Sequence, residues 1–165
     1  MYAAQMQPHH LAYPMSDKTI LLVEDNPDDA ELTLMALTRI TGIDNIIVAH
    51  DSVEVLQYLT QPDSASAHSE LQPTVIFLDL KIPKINGIEV LQRLRANERT
   101  RHLPVVMLTS SDEEQDILRA YNSGANSYIR KPVDSRRFNE VLEKIGRYWL
   151  ELNVAPEPNA ANHRA

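Results

Sequence analysis

The feature that most constrains the fold is a short apolar segment that ends on a single carboxylate. Residues 75–78 are all apolar, and Asp79 follows them directly. A continuous apolar run of this length, placed after Pro73, is typical of a strand buried on both faces of a parallel sheet. The segment 80–87 contains a proline and a glycine, which predicts a loop. We therefore expect Asp79 at a strand end, where open α/β sheets bind ligands, although taken alone it is also a common turn residue.

The same pattern of an apolar segment followed by an amphipathic one recurs along the chain. The predicted strands cover residues 19–23, 46–48, 75–78, 104–108 and 127–130. The predicted helices begin near residues 27, 52, 88, 112 and 135. Ser52 is the predicted cap of the second helix, and the last helix is expected to end near Leu152. Strands that alternate with helices predict an α/β fold, a doubly wound parallel sheet covered by helices on both faces.

Composition excludes several classes of function. A chain of 165 residues, 43% hydrophobic, is long enough for one domain with a substantial core. Its net charge of −7 argues against nucleic-acid binding, and the lack of cysteine excludes disulfides and thiol chemistry. No apolar run is long enough to span a membrane, and no secretory signal is evident, so we expect a cytoplasmic protein.

The pattern also predicts the domain boundaries. Residues 17–152 form the predicted domain, whereas 1–16 and 153–165 lack periodicity and contain prolines, which predicts flexible tails. The polar segment 61–72 is predicted to be an insertion at the rim of the domain. We expect no output domain after residue 152, because too few residues follow it in this chain.

Four of the five predicted strands deliver a polar side chain to the same end of the sheet. These side chains belong to Glu24, Asp25, Asp79, Thr109 and Lys131. Because the carboxyl ends of parallel strands meet at one edge, we expect three carboxylates, a hydroxyl and an ammonium group to lie close together there.

These residues, with Pro83 and Gly87 after Asp79 and Pro132 after Lys131, resemble the receiver domain of two-component response regulators. The resemblance covers about residues 18–150 and implies a flavodoxin-like, CheY-like sheet with strand order 2-1-3-4-5 and five helices. The stretch LLVEDNPDDAEL further resembles the phytochrome-associated single-domain regulators of cyanobacteria and bacteria.

The resemblance implies a chemical role for each acidic residue. Asp79 is the expected phosphoacceptor, taking a phosphoryl group from a sensor histidine kinase of the phytochrome type. Asp25, Asp79 and the backbone carbonyl of Lys81 are the expected Mg²⁺ ligands, and Glu24 is expected to act mainly through a water molecule. Three clustered acids repel one another, and Mg²⁺ with its preference for oxygen ligands relieves that repulsion.

The remaining site residues are expected to stabilise the phosphoryl group and to transmit its presence. Lys131 supplies a cation and Thr109 a hydroxyl, and the family implies a cis peptide bond before Pro132. On phosphorylation, Thr109 moves toward the phosphoryl group and Tyr128 follows as the switch residue, a two-state equilibrium. Taken alone, Thr109 is a strand-end cap, Tyr128 a half-buried strand aromatic, and the Lys-Pro pair a turn.

A face formed by the fourth helix, fifth strand and fifth helix is the predicted interface. A strip in the fifth helix is expected to cover the sheet, and its members are Phe138, Leu142, Ile145, Trp149 and Leu152. In the fourth helix, Leu118 is expected to face the sheet. The expected interface residues are Ile117, Tyr121, Tyr128, Arg130, Val141 and Tyr148. Their composition is typical of protein interfaces and favours a symmetric homodimer over scattered apolar surface.

Two other functions are alternatives to this one. A phosphohydrolase of the haloacid dehalogenase type uses a second aspartate two residues after the nucleophile, where this chain has Lys81. A pseudo-receiver that is never phosphorylated usually lacks one of the acids or the lysine, and here all are present. We therefore expect no enzyme activity beyond the protein's own phosphoryl transfer and dephosphorylation, and a downstream protein or phosphotransfer partner that receives the signal.

Overall fold

The computed structural model describes residues 18–41, 45–60 and 72–156. Its strands are β1 Ile20–Val23, β2 Ile46–Ala49, β3 Val75–Leu78, β4 Val105–Thr109 and β5 Ser127–Arg130. Its helices are α1 Pro27–Thr41, α2 Ser52–Thr60, α3 Gly87–Ala96, α4 Glu114–Asn122 and α5 Ser135–Arg147, and a π-helical turn, Tyr148–Leu152, continues α5. The predicted N-terminal tail, most of the C-terminal tail and nearly all of the predicted rim insertion lie outside the described residues.

The five strands form one parallel sheet in the order β2-β1-β3-β4-β5, which confirms the predicted topology. Val23 pairs with Leu78, and Leu78 pairs with Met107. The last residues of β1 and β3 are therefore level with each other, and the residues that follow them emerge side by side at the carboxyl edge of the sheet.

The core consists of two layers, because successive side chains of a strand point to opposite faces of the sheet. The buried strand residues packed with α2, α3 and Ala120 of α4 are Leu21, Val23, Ala49, Ile76, Leu78, Val105 and Met107. The strand residues packed with α1 and α5 are Ile20, Leu22, Val75, Phe77, Val106 and Leu108. Burial on both faces explains why these strands are continuous apolar runs rather than alternating ones. Within the described ranges, no helix combines the length and the apolar character that crossing a bilayer requires.

The C-terminal end of α5 differs from the prediction. Phe138, Leu142, Ile145 and Trp149 are buried as expected, but the side chain of Leu152 is 71% exposed. Leu150 is fully buried instead. The π-helical turn has more residues per turn than an α-helix, so it shifts the helical register and turns Leu150 toward the core.

The prediction for α4 was wrong at one residue. The helix begins at Glu114, within two residues of the predicted start, but Leu118 is 61% exposed instead of facing the sheet. Ala120, two residues further on, is fully buried and marks the face of α4 that packs on the core. Residues two apart lie on nearly opposite faces of an α-helix, so Leu118 points to solvent while Ile117 is half-buried.

Candidate functional site

Three carboxylates meet at the carboxyl edge of the sheet. Glu24 and Asp25 follow β1, Asp79 follows β3, and one oxygen from each lies within 4.8 Å of the others. Glu24 and Asp79 are buried, whereas Asp25 is exposed. The arrangement is an acidic pocket with two sheltered carboxylates and one that opens to solvent.

Backbone contacts fix the position of Asp79. Its N–H donates to the Val23 carbonyl at 3.1 Å, and the Lys81 N–H donates to Asp79 Oδ1 at 3.1 Å. The Gly87 N–H donates to the Leu80 carbonyl at 2.8 Å, and a Cβ at Gly87 would lie only 2.3 Å from the Asp79 carbonyl oxygen. Glycine is therefore needed where α3 begins directly against the backbone of the site.

The loop between β3 and α3 is braced by residues that precede and begin α2. Ser52 Oγ donates to the Pro83 carbonyl at 3.1 Å and accepts from the Ile85 N–H at 3.1 Å. Lys84 has a positive φ of 71° and pairs with Asp51 at 2.6 Å. The prediction that Ser52 caps its own helix was wrong, because its hydroxyl is used by this loop.

Asp51 caps α2 in place of Ser52. Its Oδ1 accepts hydrogen bonds from the N–H groups of Val53 at 2.7 Å and Glu54 at 3.0 Å. The Lys84 ammonium and these two backbone N–H groups lower the pKa of the Asp51 carboxyl. Asp51 therefore links the start of α2 to the loop that follows Asp79.

Lys131 extends from the end of β5 into the acidic pocket. Its Nζ contacts Glu24 Oε2, Asp79 Oδ2 at 3.1 Å and Asp29 Oδ2 at 3.3 Å. Its backbone N–H donates to the Thr109 carbonyl at 2.8 Å, which continues the β4–β5 ladder by one bond. The expected cis bond before Pro132 is absent, since the described residues include no cis peptide; the continued ladder instead directs the side chain inward.

Burial and charge act in opposite directions on Glu24 and Lys131. Burial raises the pKa of Glu24, and the hydrogen bond from Lys131 offsets this only in part. For Lys131, burial is the largest influence and lowers the pKa, but the hydrogen bond to Glu24 and the charges of Asp79 and Glu24 outweigh it, so the pKa is raised. Lys131 therefore remains an ammonium group at neutral pH and provides a cation inside the pocket.

A chain of hydrogen bonds joins Thr109 to Tyr128 through Ser111. Thr109 is fully buried, and its Oγ1 accepts from the Ser111 N–H at 3.3 Å. The Tyr128 hydroxyl donates to the Ser111 carbonyl at 3.0 Å, and Ser111 Oγ donates to Asp116 Oδ2 at 2.6 Å. Burial is the main cause of the raised pKa of Tyr128. A movement of Thr109 that displaced Ser111 would therefore alter the hydrogen bonds that Ser111 makes with Tyr128 of β5 and Asp116 of α4.

Sequence reasoning missed three residues that touch this site: Asp29, Ser111 and Asp116. In the sequence Asp29 is only one of two acids in the first turn of the first predicted helix, and its contact with Lys131 joins residues 102 positions apart. Ser111 and Asp116 meet because of the shape of the β4–α4 loop, for which the sequence carries no periodic signal.

The predicted interface residues lie on α4, on β5, and on α5 with the turn that continues it, but they differ in accessibility. The exposed ones are Tyr121, Arg130 and Tyr148. The partly buried ones are Ile117, Tyr128 and Val141. Val141 packs against the core on the α5 side of the sheet, so it contributes less to this surface than the sequence suggested. The dimer itself remains a prediction.

The donor set of the pocket suits a hard divalent cation. All candidate side-chain ligands are carboxylate oxygens, and one ammonium group leaves the cluster of Glu24, Asp25 and Asp79 with excess negative charge. Mg²⁺ prefers such oxygen ligands and commonly uses one or two carboxylates. One oxygen each from Glu24, Asp25 and Asp79 lies close enough to the others to share one such ion.

Comparison with known proteins agrees with this geometry. Residues 20–143 match the family model described as the response regulator receiver domain. The chain is 37% identical over 139 residues to the probable methanogenesis regulatory protein FilR2 of Methanothrix harundinacea, covering 84% of this chain and 88% of that protein.

Two solved structures are similar over nearly their whole length. The phosphorylated cyanobacterial phytochrome response regulator RcpA has a TM-score of 0.78 and 31% identity, covering 86% of this chain and all of that one. The Mn²⁺-bound form of response regulator Rcp1, a Synechocystis protein, has a TM-score of 0.76 and 32% identity, covering 85% and 99%. With its five-stranded parallel sheet and its acidic pocket facing a strand-end lysine, this chain belongs to the response regulator receiver domain family.

Proposed function

We propose that this chain is a response regulator that accepts a phosphoryl group on Asp79 from a sensor histidine kinase. The observation that carries the proposal is the position of Asp79, whose carboxylate clusters with Glu24 and Asp25 and lies 3.1 Å from the Lys131 ammonium. In the reaction, a carboxylate oxygen of Asp79 attacks phosphorus, an O–P bond forms and the P–N bond of phosphohistidine breaks. The imidazole leaves with the electron pair and takes up a proton.

The chain's own residues would orient and neutralise the reacting groups. The Lys81 N–H holds one Asp79 oxygen at 3.1 Å, while Lys131 contacts the other at 3.1 Å. Such fixed donors favour phosphoryl transfer, which depends mostly on positioning and charge neutralisation. Mg²⁺, held by Asp25 and Asp79 with the Lys81 carbonyl, would supply further neutralisation of the phosphoryl oxygens.

The hydrogen-bonded chain from Thr109 to Tyr128 is the proposed output device. A phosphoryl group adds about −1.5 to −2 charges at pH 7 and three acceptor oxygens. If the Thr109 hydroxyl turns toward these oxygens, its bond with the Ser111 N–H is lost and Tyr128 loses a fixed partner. Phosphorylation would thereby shift a two-state equilibrium at β5 and α4.

The proposed partners are inferred from a similar structure and from the exposed apolar surface. RcpA is a phytochrome response regulator, and its similarity to this chain supports a phytochrome-type kinase as the donor. Tyr121, Tyr148 and Leu118 leave apolar surface exposed around β5, which supports a homodimer or a downstream protein that binds this face. We expect no catalysis of other reactions.

Acetyl phosphate, a small phosphodonor, tests the proposal without knowledge of the kinase. The purified protein should gain one hydroxylamine-labile phosphoryl group with Mg²⁺ present and much less after chelation by EDTA. A protein that gains none, with a known receiver domain labelled in parallel, would contradict phosphoacceptor activity. Sustained hydrolysis of a phosphate ester would instead indicate the phosphohydrolase alternative.

A further inference from the structure

Lys131 contacts a carboxylate that does not belong to the acidic pocket. Besides Glu24 and Asp79, the carboxylate of Asp29 in the first turn of α1 lies 3.3 Å from its Nζ. An ammonium group has three protons, and these three carboxylates can accept all of them. A phosphoryl group on Asp79 would add new acceptor oxygens beside Lys131, so it would compete with the remaining carboxylates for the same three protons.

Asp29 is the acceptor that is released most easily. Its side chain is 42% exposed, against 3% for Glu24 and 10% for Asp79. Glu24 and Asp79 each accept a second hydrogen bond, from the N–H groups of Asn26 and Lys81 respectively. Within the described part of the chain, the Asp29 carboxylate has Lys131 as its only recorded partner. It can turn to water without breaking another bond.

The backbone of Asp29 is fixed, so a change there would be confined to the side chain. Asn26 Oδ1 accepts from the N–H groups of Asp28 at 2.9 Å and Asp29 at 3.2 Å, which anchors the start of α1. Asp28 is an exposed acid in the same helical turn and takes no part in the ion pairs found among the described residues. The two neighbours therefore carry the same charge at the same helix end but differ in contact with Lys131.

We propose that Asp29 is a positioning residue that acts through Lys131, holding the ammonium group in the unphosphorylated protein and competing with the phosphoryl group for it. The inference rests on the proposed function of Asp79. It predicts that removing the Asp29 charge favours the phosphorylated state, because Lys131 then has one acceptor fewer and the incoming anion meets less repulsion.

Beryllium fluoride, a non-covalent analogue of the phosphoryl group, measures this effect as an affinity. At saturating Mg²⁺, we expect Asp29→Asn to bind it about two- to fivefold more tightly than Asp28→Asn, a range set by ion pairs with a partly exposed partner. Asp29→Glu keeps the charge and should remain near the wild type. Thermal unfolding of each variant identifies any that fails to fold.

A second readout tests the contact itself without any phosphoryl analogue. In nitrogen-15 spectra of the unphosphorylated protein, the Lys131 ammonium protons should exchange with water faster in Asp29→Asn than in Asp28→Asn. Equal affinities and equal exchange in the two variants, with beryllium fluoride bound by the wild type, would overturn this inference alone. A wild type that neither binds beryllium fluoride nor accepts phosphoryl would overturn the proposed function, and the inference with it.

Discussion

The carboxyl edge of the sheet and the surface formed by α4, β5 and α5 differ in what determines their structure. At the edge, strand pairing places Glu24 and Asp79 side by side, and backbone hydrogen bonds hold both. On the α4–β5–α5 surface, Leu118 is exposed because α4 packs on the core through the face of Ala120, and Leu152 is exposed because of one π-helical turn. A site built on strand ends is therefore set by a few strong constraints, whereas a helical surface changes with small shifts in register.

The C-terminal end of α5 offers the strongest test on the helical side of this comparison. Leu150→Ala should lower the free energy of unfolding by about 2–5 kcal/mol, because it leaves a cavity in the core. Leu152→Ala is the matched control and should change it by no more than about 0.5 kcal/mol, since its side chain is exposed. Urea denaturation measures both. A larger loss of stability in Leu152→Ala than in Leu150→Ala would indicate a regular α-helix up to residue 152 and would contradict this comparison.

The rigidity of the edge is tested at Gly87. Gly87→Ala places a methyl group against the Asp79 carbonyl oxygen, which should cost about 1–3 kcal/mol of stability as the backbone shifts. The same shift should displace Asp79 and reduce its labelling by acetyl phosphate more than the loss of stability explains. Wild-type labelling in a folded variant would show that the edge tolerates movement.

Mg²⁺ affinity should distinguish Asp25 from Glu24, the two acids that follow β1. Asp25→Asn should weaken Mg²⁺ binding by about a hundredfold and Glu24→Gln by about tenfold, because we assign direct ligation to the first and indirect ligation to the second. Titration of Mg²⁺ into each variant gives the dissociation constants. Equal losses would contradict the proposed ligand set.

The smallest effect on folding is expected on the α4–β5–α5 surface. Ile117 and Tyr121 replaced together by acidic residues should cost little stability, because Tyr121 is exposed and only the half-buried Ile117 loses apolar contacts. Sedimentation should then show a monomer that still accepts phosphoryl on Asp79. A wild type that stays monomeric at high concentration, with and without phosphorylation, would leave this surface to another partner.

The pattern of the sequence was sufficient to predict a parallel sheet and to bring the polar strand ends together, and the family resemblance added the strand order. Apolar runs such as Val75–Leu78 are buried on both faces, so their lengths and ends are visible without a structure. The side chain of Lys131 reaches the pocket even though the cis bond expected before Pro132 is absent. The direction of β5 is sufficient to place it.

The contacts that escaped prediction depend on packing between distant segments. Asp29 and Lys131 are 102 positions apart in the chain and meet at the carboxyl edge of the sheet, where α1 begins and β5 ends. Ser52 is used by the loop after Asp79 rather than by its own helix, which no local pattern indicates. Leu150 replaces Leu152 in the core because the helix widens in its last turn.

The most direct test of the account is the site of phosphorylation. Wild type, Asp79→Asn and Asp112→Asn should be treated with acetyl phosphate and Mg²⁺ and compared by intact mass; Asp112 is an exposed acid after β4 and serves as the matched control. We predict one added phosphoryl group on the wild type and on Asp112→Asn, and none on Asp79→Asn. Labelling of a folded Asp79→Asn to the wild-type extent would contradict the assignment of Asp79 as the phosphoacceptor.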